Sequence, residues 1–239
     1  MMGYGGGGGG QRQIRILEGS NPPVYYASFQ QRPKGLLSDE EKKNLSIATA
    51  ALTICFTMVM FRWNIGAISE IPNHMADFLF ILILSFIVTF TGFALHEMAH
   101  KFVAQKYGCW AEFRYSTQGL LFALVLAIAV GVLFAAPGAV YIVGAIDKRQ
   151  NGIISIAGPL TNVAVTLAMI PMYLWGGDWL SIIAYWVIFF NVLLALFNMI
   201  PIMPLDGAKV LKWNIPLYVV SLVAMGGLLY FTRIVLPEL

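Results

Sequence analysis

The segment LHEMAHK contains two histidines and one glutamate, at positions 96, 100 and 97. On a helix, residues four apart project from the same face, with Cβ atoms about 6 Å apart. The imidazoles of His96 and His100 can therefore bind one Zn²⁺ together, at about 2.0–2.1 Å each. Glu97 lies about a quarter turn round the helix, where it could reach a water on the metal without being a ligand itself. This HExxH pattern predicts a zinc site with a catalytic carboxylate beside it.

The alternative is a chance pair of buried histidines that are satisfied by hydrogen bonds. The chain has three histidines in all, and two of them belong to this motif. The motif also follows an almost wholly apolar run, residues 78–90. Polar side chains at the end of a membrane span cost about 2–3 kcal/mol each when nothing compensates. A bound metal compensates that cost, which favours the zinc site.

A catalytic zinc site needs a third protein ligand and one open coordination position. The best candidate is Asp206, which follows an apolar span in the segment NMIPIMPLDGAKV. Pro201, Pro204 and Gly207 predict an unwound segment here that can direct the carboxylate inward. Capping of a helix that begins near Ala208 is the alternative role for this aspartate. Weaker candidate ligands are Glu112, Asp147 and Cys109.

Two asparagines lie at the ends of apolar spans. Asn198 precedes Asp206 by eight residues, and Asn162 ends the segment AGPLTN. Amides in such places can bind a substrate backbone or an oxyanion, or they can tie neighbouring helices together. The position of Asn198 favours a catalytic or substrate-binding role. Asn162 is a candidate for substrate contact, although a role in joining helices fits it slightly better.

The composition places these residues in a membrane protein. Of 239 residues, 59% are hydrophobic and 11% are charged, and the mean hydropathy is +0.74. A water-soluble fold of this length could not bury so much apolar surface, which predicts an α-helical polytopic membrane protein in contact with the lipid bilayer. The net charge of +3 with no basic block argues against a nucleic-acid partner. Two cysteines make no disulfide framework.

About six apolar segments are expected to be helical, each near the roughly 20 residues that a crossing helix needs. They lie at about 45–61, 78–101, 118–136, 158–175, 179–199 and 215–236. The preceding residues 1–44 are polar and basic, with a run of glycines near the start. They predict a flexible basic N-terminal arm, or alternatively a cap over the site, ahead of an integral membrane domain at 45–239.

Charge predicts the orientation, because lysine and arginine are enriched in cytoplasmic loops. The basic arm therefore predicts a cytoplasmic N-terminus. Lys209 and Lys212 fall on the same side only if the stretch between Arg114 and Ala157 makes no net crossing. The segment 118–136 is then expected either to re-enter or to be followed by a return path. We expect a multi-pass protein of the cell membrane whose active-site opening faces the cytoplasm.

Residues 139–157 do not have a helical pattern. Two β-branched runs, Val140–Val143 and Ile153–Ile156, flank a segment that contains an Asn-Gly turn signal. A β-hairpin near the membrane surface and close to the active site is therefore expected, with an irregular loop as the alternative.

Three motifs occur together in this chain: HEMAH at 96–100, AGPLTN at 157–162 and NMIPIMPLDG at 198–207. Together they resemble the site-2 protease family of intramembrane zinc metalloproteases, over a catalytic core of about residues 78–212. Nothing in the chain reads as a PDZ or CBS domain, so the resemblance is to a minimal form of the family. The apolar stretch 118–136 looks like an insertion relative to shorter members.

The resemblance implies that His96, His100 and Asp206 bind one zinc ion and that Glu97 is the catalytic base. The implied activity is regulated intramembrane proteolysis, the hydrolysis of peptide bonds in or near the transmembrane segments of membrane-protein substrates. A helical substrate protects its own carbonyl groups, so it must be unwound locally before cleavage. Gly, Pro or Asn in the target span would lower that cost.

The resemblance also implies substrate contacts. Asn198 corresponds to the family's asparagine ahead of the LDG motif, which assists binding of the substrate or transition state. The β-structure between the first and second motifs corresponds to elements that pair with an extended substrate, a form of β-augmentation. Val140 and Ile142 are the residues of this sequence that fall in such a strand.

Two other functions would also use a metal in the membrane. A prenyl-protein processing metalloprotease takes a glutamate from a later helix as its third ligand, but residues 158–199 contain no glutamate. A non-enzymatic metal-binding protein or metal transporter could use the same three ligands as a transit site. Such a protein has no need of an acid beside the metal, and transporters usually show repeated halves, which are absent from this sequence.

Overall fold

The computed structural model describes residues 14–16, 25–27, 37–64, 74–131 and 137–236. Strands β1 (Ile14–Ile16) and β2 (Tyr25–Ala27) form a short antiparallel pair within the first compact unit, residues 1–38. Most of the predicted flexible arm lies outside the described residues. Helix α1 begins at Asp39, so residues 39–44, which the sequence assigned to the arm, are helical.

The second unit, residues 39–239, is a helical membrane protein with one small sheet. Its elements are α1 (Asp39–Asn64), α2 (Met75–Thr89), a π-helical turn (Phe90–Ala94), α3 (Leu95–Lys106), β3 (Trp110–Tyr115), α4 (Thr117–Ala129), β4 (Gly138–Val143), α5 (Lys148–Trp175), α6 (Gly177–Asn198), α7 (Asp206–Trp213), α8 (Ile215–Tyr230) and a second π-helical turn (Phe231–Val235). The fold is that of a polytopic helical membrane protein, as the composition predicted.

Among the described residues, five helices are long and apolar enough to cross a bilayer. They are Asp39–Trp63, Met75–Lys106, Lys148–Trp175, Gly177–Asn198 and Ile215–Val235. The sixth apolar helix, α4, has 13 residues, which at 1.5 Å per residue span about 20 Å. That is shorter than the roughly 30 Å hydrocarbon core. The short α4 is consistent with a path that re-enters between Arg114 and Ala157 rather than crossing.

Two of the clusters of buried side chains that hold the helices together involve α6. The first lies between α1, α2 and α6 and includes Phe56, Leu84 and Phe190. The second joins the end of α6 to α5, α7 and α8 and includes Ile156, Met199, Val210 and Tyr218. The second cluster holds the start of α7 against α5 and α6, and α7 begins with Asp206.

The predicted β-hairpin is half wrong. Val140–Val143 is extended, as expected, but it pairs antiparallel with Trp110–Tyr115, with Trp110 opposite Val143 and Tyr115 opposite Gly138. Ile153–Ile156 lies inside helix α5 instead. A capping box explains the difference, because Asp147 accepts a hydrogen bond from the Gln150 N–H (2.7 Å) and the Gln150 side chain accepts one from the Asp147 N–H (3.0 Å). This start signal outweighs the β propensity of the isoleucines.

Helix α1 is attached to the sheet and to the motif helix α3 by buried polar contacts. Glu41 and Lys101 are fully buried and form an ion pair. The second Glu41 carboxylate oxygen, Oε1, accepts a hydrogen bond from the Phe113 N–H at 3.0 Å. The Asn44 Oδ1 accepts a longer one from the Tyr115 N–H at 3.4 Å. The first turns of α1 therefore cover the outer edge of β3 and fix it beside α3.

Candidate metal centre

Three donor atoms from distant parts of the chain converge at one point. The His96 Nε2 and His100 Nε2 atoms are 3.0 Å apart. The Asp206 Oδ2 atom lies 3.3 Å from the first and 3.1 Å from the second. A tetrahedral zinc ion with bonds of about 2.0–2.1 Å separates its ligand atoms by about 3.3 Å. The observed triangle therefore has the dimensions of one face of a tetrahedral zinc site.

The outer nitrogens of both imidazoles are held by acceptors. The His100 Nδ1 lies 2.7 Å from the Ile154 carbonyl oxygen, which can only accept. The His96 Nδ1 lies 2.6 Å from the Asn162 Oδ1, and the Asn162 Nδ2 donates to the Gly92 carbonyl at 2.9 Å. The amide is therefore oriented with its oxygen towards His96. Both imidazoles carry their proton on Nδ1 and direct a lone pair from Nε2 into the site.

This arrangement calls for a cation. Two imidazole lone pairs and one carboxylate oxygen face each other, all three residues are buried, and a proton on one Nε2 would satisfy only part of the set. A divalent ion at the centre satisfies all three donors. Imidazole nitrogens with a carboxylate oxygen suit Zn²⁺, and three protein ligands leave one position open, as in catalytic zinc sites. The residues present therefore fit a zinc ion.

Asp206 reaches the site because the chain turns tightly just before it. Helix α7 begins at Asp206, with Leu205 at the N-cap and no side-chain cap, so the aspartate does not cap a helix. A Cβ at Gly207 would collide with the Met199 carbonyl, and this close approach requires glycine. The Asp206 carboxylate thereby stands beside the Nε2 atoms of both imidazoles, where a metal ion can bind all three donors.

Gly158 lies next to the two imidazole nitrogens that face the site. A Cβ at this position of α5 would be 2.5 Å from the Nε2 atoms of both His96 and His100. Such a distance is far inside van der Waals contact, so any side chain here would occupy the space that the metal needs. Because Gly158 has no side chain, there is room for an ion beside the two imidazoles.

The Gly158→Ala variant is expected to fold and to bind zinc about five- to 150-fold more weakly than the native protein. Overpacking costs about 1–3 kcal/mol, and this converts to that range of affinity. The measurement is chelator competition for zinc in detergent. Gly227→Ala on α8 is the matched control, because its Cβ would meet no atom within 4 Å. Native zinc affinity in Gly158→Ala would show that the site does not need the space beside Gly158.

Glu97 lies beside the ligands without being one of them. It is partly exposed, on the turn of α3 that carries His96 and His100. It interacts electrostatically with both imidazoles and with Asp206. Among the described residues, the group of donor atoms within 4.8 Å of one another consists of His96, His100 and Asp206. This leaves the Glu97 carboxylate outside the set of ligands.

The two asparagines have different surroundings. Asn162 is fully buried and its amide bonds His96, Gly92 and Asn191, which fits the alternative that it joins helices and leaves little of it for a substrate. Asn198 is half-buried and donates one N–H to the Leu194 carbonyl at 3.0 Å. An amide nitrogen has two N–H groups, so this contact uses one of the two.

The weaker ligand candidates are engaged elsewhere. Glu112 is bound to Arg114 at 2.6 Å, and Asp147 caps α5. Cys109 packs in an apolar cluster with Ala104 and Ile154.

Sequence reasoning did not single out two residues near the site, Gly158 and Asn191. Gly158 stands within the AGPLTN motif, but nothing in a sequence shows which atoms a glycine faces. Asn191 offered a clearer signal, since a lone amide in the apolar run VIFFNVLLALF needs a partner at membrane depth. Its partners become visible only in the folded chain.

Comparison with known proteins gives the same chemistry. Over 173 residues the chain is 42% identical to "Putative zinc metalloprotease MJ0611" of Methanocaldococcus jannaschii, covering 70% of this chain and 90% of that protein. The chain belongs to this zinc metalloprotease family. This chain is also 29% identical over 158 residues to "Putative zinc metalloprotease YwhC" of Bacillus subtilis, covering 56% of this chain and 69% of that protein.

A third relative is "Zinc metalloprotease MJ0392" of Methanocaldococcus jannaschii, 28% identical over 133 residues. That match covers 53% of this chain and 33% of the relative. No family model matches the chain, and no solved structure matches it. The family implies zinc, and His96, His100 and Asp206 could form the metal site.

Proposed function

We propose that this metalloprotease is an intramembrane protease of the site-2 type, with one zinc ion per chain. The observation that supports the proposal best is the convergence of His96, His100 and Asp206 on one point. The two histidines belong to Met75–Lys106, a helix long and apolar enough to cross the bilayer. A hydrolytic site built on such a helix would act on substrates that share the membrane, namely transmembrane proteins or peptides.

The proposed chemical role of each residue follows from the position of its side chain. Zinc, when bound, acts as a Lewis acid that polarises the substrate carbonyl and lowers the pKa of a coordinated water towards about 7. Glu97, beside the ligands, would accept a proton from the water that attacks the scissile carbonyl and return it to the amine that leaves as the C–N bond breaks. Asn198 supports the developing oxyanion with the N–H that Leu194 does not occupy. His96, His100 and Asp206 hold the ion in place.

A substrate strand would pair with the edge of β4 that faces away from β3. The Phe113 and Tyr115 N–H groups point away from β4, towards α1. Since hydrogen-bonded and non-bonded pairs alternate along an antiparallel ladder, their partners, Val140 and Gly138, direct their backbone groups away from β3. Ile142 shares this orientation, two residues further on. Val140 and Ile142 therefore offer backbone donors and acceptors for β-augmentation, with their side chains packed on the Ala104 and Ile154 cluster.

The proposed orientation keeps the N-terminus and the active-site opening on the cytoplasmic side of the cell membrane. Lys101 and Lys106 lie on α3 after the HExxH motif, and Lys209 lies on α7 after Asp206. Lys209 lies 3.6 Å from the Asp206 Oδ1, on the side of the carboxylate that faces away from the histidines. Water would reach the site from this polar side.

The test is proteolysis by the purified protein in detergent. The substrate probe is a tagged single-span membrane protein with an Asn-Pro pair in its span, compared with an otherwise identical protein with an all-leucine span. We expect cleavage within the Asn-Pro span, mapped by mass spectrometry, loss of cleavage with a zinc chelator, and recovery on addition of zinc. Zinc uptake into liposomes without cleavage in any of these assays would instead favour the transporter and overturn the proposal.

A further inference from the structure

A buried chain of hydrogen bonds connects the metal site to helix α6. It begins at the His96 Nδ1, which lies 2.6 Å from the Asn162 Oδ1. The Asn162 Nδ2 donates to the Asn191 Oδ1 at 2.9 Å and to the Gly92 carbonyl at 2.9 Å. Both asparagines are fully buried. Asn191 is hydrogen-bonded to Asn162, Thr91 and the Val187 carbonyl, none of which is a candidate metal ligand.

The direction of every bond in this chain is determined by backbone carbonyls. The Asn191 Nδ2 donates to the Val187 carbonyl at 2.9 Å, so its oxygen must face Asn162. The Asn162 Nδ2 gives one N–H to that oxygen and the other to Gly92, which leaves only its own oxygen for His96. Carbonyls cannot donate, so neither amide can flip without losing two bonds. His96 is thereby held with its proton on Nδ1.

The π-helical turn Phe90–Ala94 brings the chain within reach of these amides. It lies directly before α3, which begins at Leu95, and it contains Gly92, whose carbonyl Asn162 binds. The Thr91 hydroxyl lies 3.1 Å from the Asn191 Nδ2 and itself donates to the Ile87 carbonyl at 2.7 Å. Turns of this kind are frequent at functional sites. Both asparagines therefore act on the turn that precedes the first zinc ligand, as well as on the ligand itself.

We propose that Asn191 is a positioning residue for the zinc ligand His96. It acts through Asn162: by accepting one amide N–H, it orients the Asn162 oxygen towards the Nδ1 proton of His96, which keeps the Nε2 lone pair directed at the ion. Partners of this kind typically contribute ten- to hundredfold to metal affinity. The inference rests on the proposed function only in taking the site to be a zinc site.

The test is a double-mutant cycle on zinc affinity, measured by chelator competition in detergent. Asn191→Leu keeps the volume of the side chain and removes its acceptor, and we expect zinc affinity to fall about ten- to hundredfold. Asn162→Leu should cause a loss at least as large. Because both residues act through one bond to His96, the double variant should bind zinc no more weakly than Asn162→Leu alone.

Thr166→Val is the matched control. Thr166 is fully buried on α5, one turn beyond Asn162, and its hydroxyl has no hydrogen-bond partner within the part of the chain that the structure describes. It tests the loss of a buried polar group from the same region without touching the chain to His96. Its zinc affinity should remain native. Unchanged zinc affinity in Asn191→Leu, or losses in the two asparagine variants that simply add, would overturn the proposal.

A second measurement needs no variant and covers the case in which Asn191→Leu does not fold. Nitrogen NMR of the native, zinc-loaded protein with labelled histidine should show His96 with its proton on Nδ1 and zinc on Nε2. Zinc bound through Nδ1 would contradict the proposal. Neither measurement uses proteolysis. If zinc affinity follows the cycle while no substrate is cleaved, the positioning role stands and the proposed function fails; the reverse result rejects the positioning role alone.

Discussion

The Glu97→Gln variant is expected to bind zinc as tightly as the native protein and to cleave a membrane substrate about 10²–10⁴ times more slowly. Glutamine has the shape of glutamate but cannot take up a proton. Zinc affinity should survive because the three converging ligand atoms belong to His96, His100 and Asp206. The measurements are chelator competition for zinc and initial rates of cleavage of the Asn-Pro substrate.

Asp206→Asn is the companion variant for this prediction. It replaces an anionic ligand with a neutral amide in a buried site, so we expect it to lose zinc and activity together. Two variants then separate metal binding from proton transfer. Full activity in Glu97→Gln would remove the glutamate from the mechanism, and native zinc affinity in Asp206→Asn would remove the aspartate from the ligand set.

The Lys101→Met variant is expected to lower the free energy of unfolding by about 3–5 kcal/mol. Lys101 and Glu41 are both fully buried and paired. Removal of the lysine leaves the buried Glu41 carboxylate without its cationic neighbour, which costs far more than the ion pair contributes. The measurement is unfolding in detergent, followed by circular dichroism as denaturant is added.

The control for this prediction is the double variant Lys101→Met with Glu41→Gln. It removes both charges and keeps a side-chain oxygen that can accept the Phe113 N–H, which Glu41 bonds at 3.0 Å in the native protein. Neutral replacements of a buried pair are often well tolerated, so most of the lost stability should return. Equal stability of the single and double variants would show that the buried charge is not the cause.

The sequence predictions succeeded where the interactions are local, and they were less successful for contacts between distant segments. The spacing of His96, Glu97 and His100 places them on one helix because helical geometry is local. The apolar runs likewise predicted the five described helices that are long and apolar enough to cross a bilayer, because burial in lipid depends on the composition of each segment by itself. Predictions about the partner of a strand were less successful. Val140–Val143 is extended, but its neighbour comes from residues 110–115.

The helix that replaced the second predicted strand shows why local propensity can mislead. Ile153–Ile156 has a β-branched pattern, yet Asp147 and Gln150 start a helix that carries it. Once helical, Ile154 and Ile156 are buried, and the Ile154 carbonyl holds the His100 Nδ1. The contact between the Ile154 carbonyl and His100 therefore depends on the capping box that makes this segment helical instead of extended.

The sequence by itself determined the paired imidazoles, their neighbouring glutamate and the membrane setting, since each follows from residues within one helix. Tertiary structure alone decided that the Asp206 oxygen stands 3.1–3.3 Å from both histidines, that Gly158 leaves space beside them and that Asn162 faces His96. These contacts join residues more than 50 positions apart. Packing between helices sets such distances, and no local pattern encodes them.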